Sequence, residues 1–358
     1  QVFNPNRSRD ERIGQLYTVK GKTQEPVASV NAGDIGAVAK LQDTLTGDTL
    51  CKQEDPVVFA SVKFPEPVYS VAVHPKTKGD EDKISSGLAR LMEEDPTIKT
   101  DRNAETSETI LSGLGEVHLD VTTGKLKRKF GVDVDLTTPK IPYRETIKGS
   151  AKAQGRHKKQ TGGRGQFGDV WIEFEPLPDK DFEFVDKIFG GAVPRQFIPA
   201  VEKGLREAMT EGVLAGYPAT NIRATLYDGS YHPVDSSEMA FKIAASLAFK
   251  KGCTEANPII MEPIMRMEII VPEQFMGDIM GDLNKKRGKI LGMESRGHFQ
   301  VIRALAPLAE VQKYAIDLRS MTQGRGLFSM TFDHYEEVPS NIAERIIEEA
   351  RKAKEQGK

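Results

Sequence analysis

Two stretches nearly 200 residues apart open in the same way: Glu66-Pro67-Val68-Tyr69-Ser70-Val71-Ala72-Val73-His74-Pro75 and Glu262-Pro263-Ile264-Met265-Arg266-Met267-Glu268-Ile269-Ile270-Val271-Pro272. Each is an apolar run between prolines, bounded as a strand is. After the first, Asp80–Glu94 carries Ile84, Leu88, Leu91 and Met92 at helical spacing, and Asp95-Pro96 stops it. Strands are expected at Thr97–Thr100 and Thr106–Ser112. A helix is expected over Gly115–Phe130 with Val117, Val121 and Leu126 inward, then a strand over Val132–Leu136. The order is βαββαβ, which suits one sheet with two helices on one face. The second stretch begins the same order: helix Pro272–Arg287 with Phe275, Ile279 and Leu283 on one face, strands Lys289–Met293 and His298–Ala304, helix Pro307–Ser320, strand Leu327–Asp333. An amphipathic helix over Asn341–Lys354 follows Pro339.

Between the repeats lies a different unit. Strands are expected at Asp169–Phe174, Phe182–Ile188 and Asn221–Tyr227, and a helix at Pro199–Glu211. Asp235-Ser236-Ser237-Glu238 has capping-box spacing, with Asp235 as cap. The helix it starts runs to about Lys251, with Met239, Ile243 and Leu247 aligned. Before the repeats, residues 1–60 read as short strands, among them Ile13–Val19 and Asp34–Leu41, too few to close a barrel. A barrel whose earlier part lies outside these residues is expected.

With 358 residues, several domains are expected. A net charge of −2 offers no global attraction to nucleic acid, so that argument has to come from a local patch. Cys51 and Cys253 alone make no disulfide framework, and a reducing cytoplasm fits. No apolar run approaches membrane-spanning length.

Ala151–Gly168 supplies the local patch. It holds Lys152, Arg156, Lys158, Lys159 and Arg164 without a single Asp or Glu, and Gly162, Gly163, Gly165 and Gly168 bracket Arg164 and Gln166. Glycine clusters permit close backbone approach, and cations beside Phe167 and Trp171 read as an RNA-facing loop. A second loop is expected at Asp228-Gly229-Ser230-Tyr231-His232-Pro233, where His232 can donate a hydrogen bond or offer a stacking face. His157 and His232 stand without a metal-ligand set, so no metal is expected. The carboxylate pairs Glu93-Glu94, Glu336-Glu337 and Glu348-Glu349 read as solvated charge rather than hydrolase chemistry.

The motifs together resemble the elongation factor G family, the bacterial ribosomal translocases and their paralogues. The resemblance rests on Gln160–Gly168, Tyr227–Glu238 and Gly113-Leu114-Gly115-Glu116-Val117-His118-Leu119. It rests also on Asp282-Leu283-Asn284 with Arg287-Gly288, and on Thr322-Gln323-Gly324-Arg325-Gly326. It implies an α+β multidomain chain: a partial domain II β-barrel over 1–60, ferredoxin-like domain III over 66–138, an S5-like α+β domain IV over 139–258, ferredoxin-like domain V over 259–336 and a C-terminal helix over 337–358. It implies a cytoplasmic monomer acting in protein biosynthesis. Its partners would be the ribosome, with rRNA, tRNA and mRNA at the decoding centre, and no membrane. Gly162, Gly163, Arg164, Gly165, Gln166, Asp228, Gly229, Ser230, Tyr231 and His232 would face the decoding centre, with Gln166 and His232 nearest the codon–anticodon pair. Arg156, His157, Lys158 and Lys159 would form a basic RNA patch.

No G-x-x-x-x-G-K-[ST] occurs. Gly21-Lys22-Thr23 has the right ending, but Leu16 stands where the first Gly belongs. Asp278-Ile279-Met280-Gly281 fits D-x-x-G inside an expected helix, and there is no N-K-x-D. These residues alone are therefore not expected to hydrolyse GTP. GTP and Mg belong to a GTPase domain elsewhere in the parent, and no cofactor is expected here. Three other readings stay open: a ribosomal protection factor, an elongation factor G-like paralogue, favoured by the basic Arg156–Lys159, and a GTPase-less RNA-binding adaptor.

Overall fold

The computed structural model describes residues 1–160 and 165–356. The chain divides into two compact units, one of residues 1–102 with 109–138, the other of 103–108 with 139 onward.

In the first unit, β1 (Val2–Asn4) pairs with β2 (Arg9–Glu11), and β3 (Leu16–Lys20) with β4 (Thr23–Val27). The expected strand at Asp34–Leu41 does not form. It reduces to one bridge, Tyr17 to Ala37, because Ile35 finds nothing to bury against and stays 92% exposed. Gly21-Lys22 is the tight turn of the β3/β4 hairpin, with Gly21 at φ 59°, so this near-match lacks the strand-to-helix setting of a phosphate loop.

The rest of this unit is one sheet with two helices. Its elements are β5 (Tyr69–Pro75), α1 (Glu81–Glu94), β6 (Lys99–Asn103), β7 (Glu108–Gly113), α2 (Glu116–Phe130) and β8 (Val134–Thr137). The strands lie in the order β6-β7-β5-β8. Ile84, Leu88 and Leu91 of α1 meet Val71, Val73 and Leu111 in the core. Helix α2 departs from expectation. Val117 and Val121 face solvent at 72% and 49% exposure, while Leu119, Thr122 and Leu126 turn inward. His118 sets this rotation. Its Nδ1 accepts the Leu114 N–H at 3.0 Å and its Nε2 meets Asp95 at 2.9 Å, which anchors the first turn of α2 to the end of α1.

The second unit starts with β9 (Arg144–Ile147), then β10 (Ala151–Lys159), β11 (Gln166–Pro176), β12 (Phe182–Asp186), α3 (Ile198–Glu211), β13 (Ile222–Ser230) and α4 (Glu238–Glu255). The sheet order is β10-β11-β13-β12, and both helices cover one face. Helix α4 presents a small-residue face inward: Ala240, Ala244, Ala245, Ala248 and Gly252, with Phe241 and Phe249. Met239 and Leu247, expected inward, are 57% and 43% exposed. The cause is close packing. A Cβ on Gly155 of β10 would lie 1.9 Å from the Ala244 carbonyl oxygen, and one on Gly168 of β11 would lie 2.6 Å from that of Ala240. Only small residues on both sides allow this approach. The cap also moves. Ser237, not Asp235, caps α4, its hydroxyl accepting the Ala240 N–H at 3.2 Å.

The chain continues as β14 (Pro258–Pro272), α5 (Met276–Lys285), β15 (Lys289–Arg296), β16 (Phe299–Pro307), α6 (Leu308–Val311), α7 (Tyr314–Thr322), β17 (Leu327–Glu337) and α8 (Ser340–Gln356). The order β15-β16-β14-β17 repeats that of the first unit's sheet. The single helix expected over Pro307–Ser320 is broken at Gln312–Lys313. Strand β9 joins the near end of β14, pairing Arg144–Ile147 with Pro258–Met261, so the two parts of this unit share a sheet. Two buried carboxylates fasten it. Glu145, 1% exposed, accepts the backbone N–H groups of Val213, Leu214, Ala215, Gly216 and Tyr217 at 2.5–3.1 Å. Glu262, 2% exposed, takes a two-pronged contact from Arg287 at 2.5 and 2.9 Å. No helix among the described residues is long and apolar enough to cross a membrane.

Candidate RNA interface

Strands β10 and β11 pair antiparallel from Ala151↔Phe174 to Lys159↔Gln166. The basic residues Arg156, His157, Lys158 and Lys159 therefore sit on the end of an edge strand, not in a loop as expected. Alternation explains this: Ala151, Ala153 and Gly155 face the helices, which fixes the strand's register. Of the expected loop contacts, Gly162, Gly163 and Arg164 lie outside the described residues, and Gly165 and Gln166 follow them. Gln166 is exposed, and its Oε1 is 2.8 Å from His157 Nε2.

The second expected loop is shorter than its motif. Asp228, Gly229 and Ser230 belong to β13, opposite Trp171, Val170 and Asp169. The Ser230 hydroxyl donates to Asp169 at 2.9 Å, and the Asp228 carboxylate accepts the Gly229 N–H at 2.8 Å. Tyr231 and His232 then leave the sheet, Tyr231 at 48% exposure.

Asp235 and Ser236 join the two segments. Asp235 Oδ1 accepts the Gly165 N–H at 3.1 Å, and its carbonyl accepts the Phe167 N–H at 2.9 Å. The Ser236 hydroxyl donates to the Phe167 carbonyl at 2.9 Å and accepts the His232 N–H at 2.9 Å. The Phe167 and His232 rings lie 6.5 Å apart. Gln166 and His232 thus occupy one end of this domain, both exposed. Asp235 does more here than the sequence showed: read as a cap, it is the tie between the loops. Its offset from Ser237, the better-placed cap, was the available signal.

The imidazole of His232 is oriented. Its Nδ1 accepts the N–H groups of Val234 and Asp235 at 3.3 and 3.1 Å. Asp235 Oδ2 also lies 3.4 Å from Nδ1. With Nδ1 facing these groups, Nε2 is the ring nitrogen left to donate, and no partner for it is found among the described residues. The ring therefore offers an outward donor. Arg156, Lys158 and Lys159 have no carboxylate within ion-pair distance among the described residues, whereas Lys152 pairs with Glu173 at 3.6 Å. Unneutralised cations beside an outward donor form a surface suited to phosphate oxygens. Among the described residues, no group of three or more His, Cys, Asp or Glu is placed to hold a metal ion.

A multidomain α+β chain in which a domain ending in exposed polar loops is flanked in sequence by two sheets of matching strand order fits a translation factor. Comparison with known families specifies which. Residues 64–138 match elongation factor G domain III, 139–257 match its domain IV, 259–346 match its C-terminus, and 1–51 match elongation factor Tu domain 2. The chain belongs to the elongation factor G family, as the C-terminal part of such a translation elongation factor. It is similar to a crystal structure of a protein from Thermus thermophilus, at 42% identity and a TM-score of 0.82. That match covers 98% of this chain and 54% of the other, so the chain spans about half the length of that protein.

Proposed function

We propose that the chain is the ribosome-binding part of an elongation factor G-type translation factor that promotes GTP-dependent translocation of tRNA and mRNA. Residues 139–258 act as a rigid arm. Its end presents Gln166 and His232, with the neighbouring Gly165, Asp228, Gly229, Ser230 and Tyr231, to the RNA of the decoding centre. Arg156, His157, Lys158 and Lys159 hold phosphates alongside. The observation that carries this reading is the bond set from Asp235 and Ser236 to Gly165 and Phe167, which makes the two loops one surface. The arm breaks no bond. Nucleotide hydrolysis belongs to a GTPase domain outside these residues, and the work of the arm is to occupy space and keep paired RNA in register. The protein acts as a cytoplasmic monomer.

Binding to purified ribosomes tests this. Affinity should fall steeply with salt, by about 0.7–0.9 in log K per log unit for each phosphate neutralised. His232→Ala in the GTPase-containing protein should slow translocation while leaving thermal unfolding unchanged. Equal translocation rates for the two proteins would count against the proposal. Drug release from ribosomes without codon movement would favour the protection-factor alternative.

A further inference from the structure

The sheet β10-β11-β13-β12 has helices on one face only. The side chains of its other face can be read from the register. Val170 and Ile172 are fully buried among the helices, so Phe167, Asp169, Trp171 and Glu173 of β11 point away from them. On β10 their partners are Lys158, Arg156, Gln154 and Lys152. On β13 the ladder slips at Trp171/Ile172 and turns Tyr227 to the same side, where Lys152 Nζ lies 5.4 Å from its ring centre. The Arg156 guanidinium lies 5.6 Å from the centre of the Phe167 ring. The open face thus carries three partly exposed aromatic rings flanked by a row of cations on the edge strand.

Of the acidic groups on this face, Asp169 and Glu173 are engaged, while the exposed Asp228 lies on β13, across β11 from the cation row of β10. Asp169 is buried and engaged by Gln154 at 2.9 Å and Ser230 at 2.9 Å. Glu173 is taken by Lys152 at 3.6 Å. Arg156 and Lys158 remain without a carboxylate partner among the described residues. Aromatic faces that stack bases, beside cations that follow a backbone, are what an unpaired RNA strand requires; a duplex hides its base faces. Phe167 to Trp171 is four residues, about 13 Å of strand, room for two or three nucleotides.

We propose that this open face, centred on Trp171 and Tyr227 and edged by Lys152, Arg156 and Lys158, is a stacking site for a short unpaired RNA strand. It adjoins the two loops at Phe167 and shares Arg156 and Lys158 with the basic patch of the proposed function, on which it rests, and extends that function along the sheet to Trp171 and Tyr227. Charge complementarity selects RNA over a protein partner: Arg156 and Lys158 on the edge strand are cations without a carboxylate partner among the described residues, and Arg156 and Lys152 lie against the Phe167 and Tyr227 rings.

Trp171 is the sole tryptophan of the chain, so it reports on its own site. The test is a fluorescence titration of the full chain with decauridylate, and it contains no ribosome, so its outcome is read separately from that of the proposed function. Saturable quenching is expected, with a salt slope near −2, at about 0.7 for each of three phosphates neutralised. Tyr227→Ala should weaken binding roughly tenfold or more while Tyr227→Phe retains it. Arg156→Ala with Lys158→Ala should flatten the salt slope. Absence of saturable quenching would overturn the proposal. So would equal affinity for a ten-base-pair RNA duplex or for inorganic polyphosphate, since neither offers base faces. So would Tyr227→Ala binding as the parent does.

Discussion

Replacing Glu145 tests how the arm is held at its base. This carboxylate is 1% exposed and accepts five successive backbone N–H groups, two on Oε2 from Val213 and Leu214 and three on Oε1 from Ala215, Gly216 and Tyr217. The segment is fixed by geometry that tolerates little change: Gly212 sits at φ 60°, and a Cβ there would fall 2.3 Å from the Tyr217 carbonyl oxygen. A hydrogen bond to a charged acceptor is worth roughly 1.5–3 kcal/mol, and such bonds made by one group do not add fully. In Glu145→Gln one oxygen becomes an NH2 group facing donors, so at least the Val213 and Leu214 bonds are lost. The expected loss is about 2–3 kcal/mol. In Glu145→Ala all five donors lose their acceptor, and about 3–5 kcal/mol is expected, as when one member of a buried charged set is removed. Because the chain has two compact units, a single melting curve does not report this loss cleanly. Amide hydrogen exchange does. Protection of residues 213–217 should fall roughly 30- to 160-fold in Glu145→Gln, at about 1.4 kcal/mol for each factor of ten, while the amides of Val71 and Leu111 in the other unit keep theirs. Unchanged exchange across 213–217 would refute the reasoning.

Other expectations follow from the same contacts. Gly155→Ala places a methyl 1.9 Å from the Ala244 carbonyl oxygen, so α4 has to move off the sheet. A loss of about 2–3 kcal/mol is expected, read by urea unfolding followed at Trp171. Asp235→Ala should leave overall stability nearly unchanged, within about 1 kcal/mol, yet release the Gly165 amide to exchange and weaken ribosome binding. The hydrogen bonds that the imidazole donates to Glu336, and then to Asp333, hold the His334 pKa above its ordinary value against partial desolvation. A raised folded-state pKa stabilises fully below the ordinary histidine value of about 6.5 and fades as pH rises through the folded value. An NMR titration of His334 should therefore show a midpoint above that of a model histidine, and His334→Gln should abolish that pH dependence.

Much of the fold was legible because apolar periodicity and prolines punctuate it. The two stretches beginning Glu66-Pro67 and Glu262-Pro263 lead into sheets of matching strand order. The matching dipeptides nonetheless do different jobs. Glu262 is buried against Arg287, while Glu66 is exposed and meets Lys99. Helix faces were legible only where large residues did the packing. In α1 the leucines point inward as spaced. In α4 the sequence offers Met239 and Leu247, but the sheet comes so close that alanine and glycine fill the interface. A hydrophobicity pattern cannot register that, since the deciding atoms are the backbone carbonyls of Ala240 and Ala244. The site divides likewise. The exposed Gln166 and His232 were visible as motif residues, whereas the placing of Arg156 and Lys158 on a strand follows from Ala153 and Gly155 facing the helix. The tie through Asp235 joins residues 70 apart, and no local spacing encodes it.

The central claim is that the end of the arm bearing Tyr231 and His232 meets decoding-centre RNA. A hydroxyl-radical source tethered at position 231, through Tyr231→Cys in a protein whose Cys51 has been replaced by Ser, would map that end directly. The account predicts strand cuts clustered in small-subunit RNA around the decoding site, lost when His232 is also replaced. Cuts confined to distant RNA, or none above those from a source tethered at Val117 in the other unit, would contradict it.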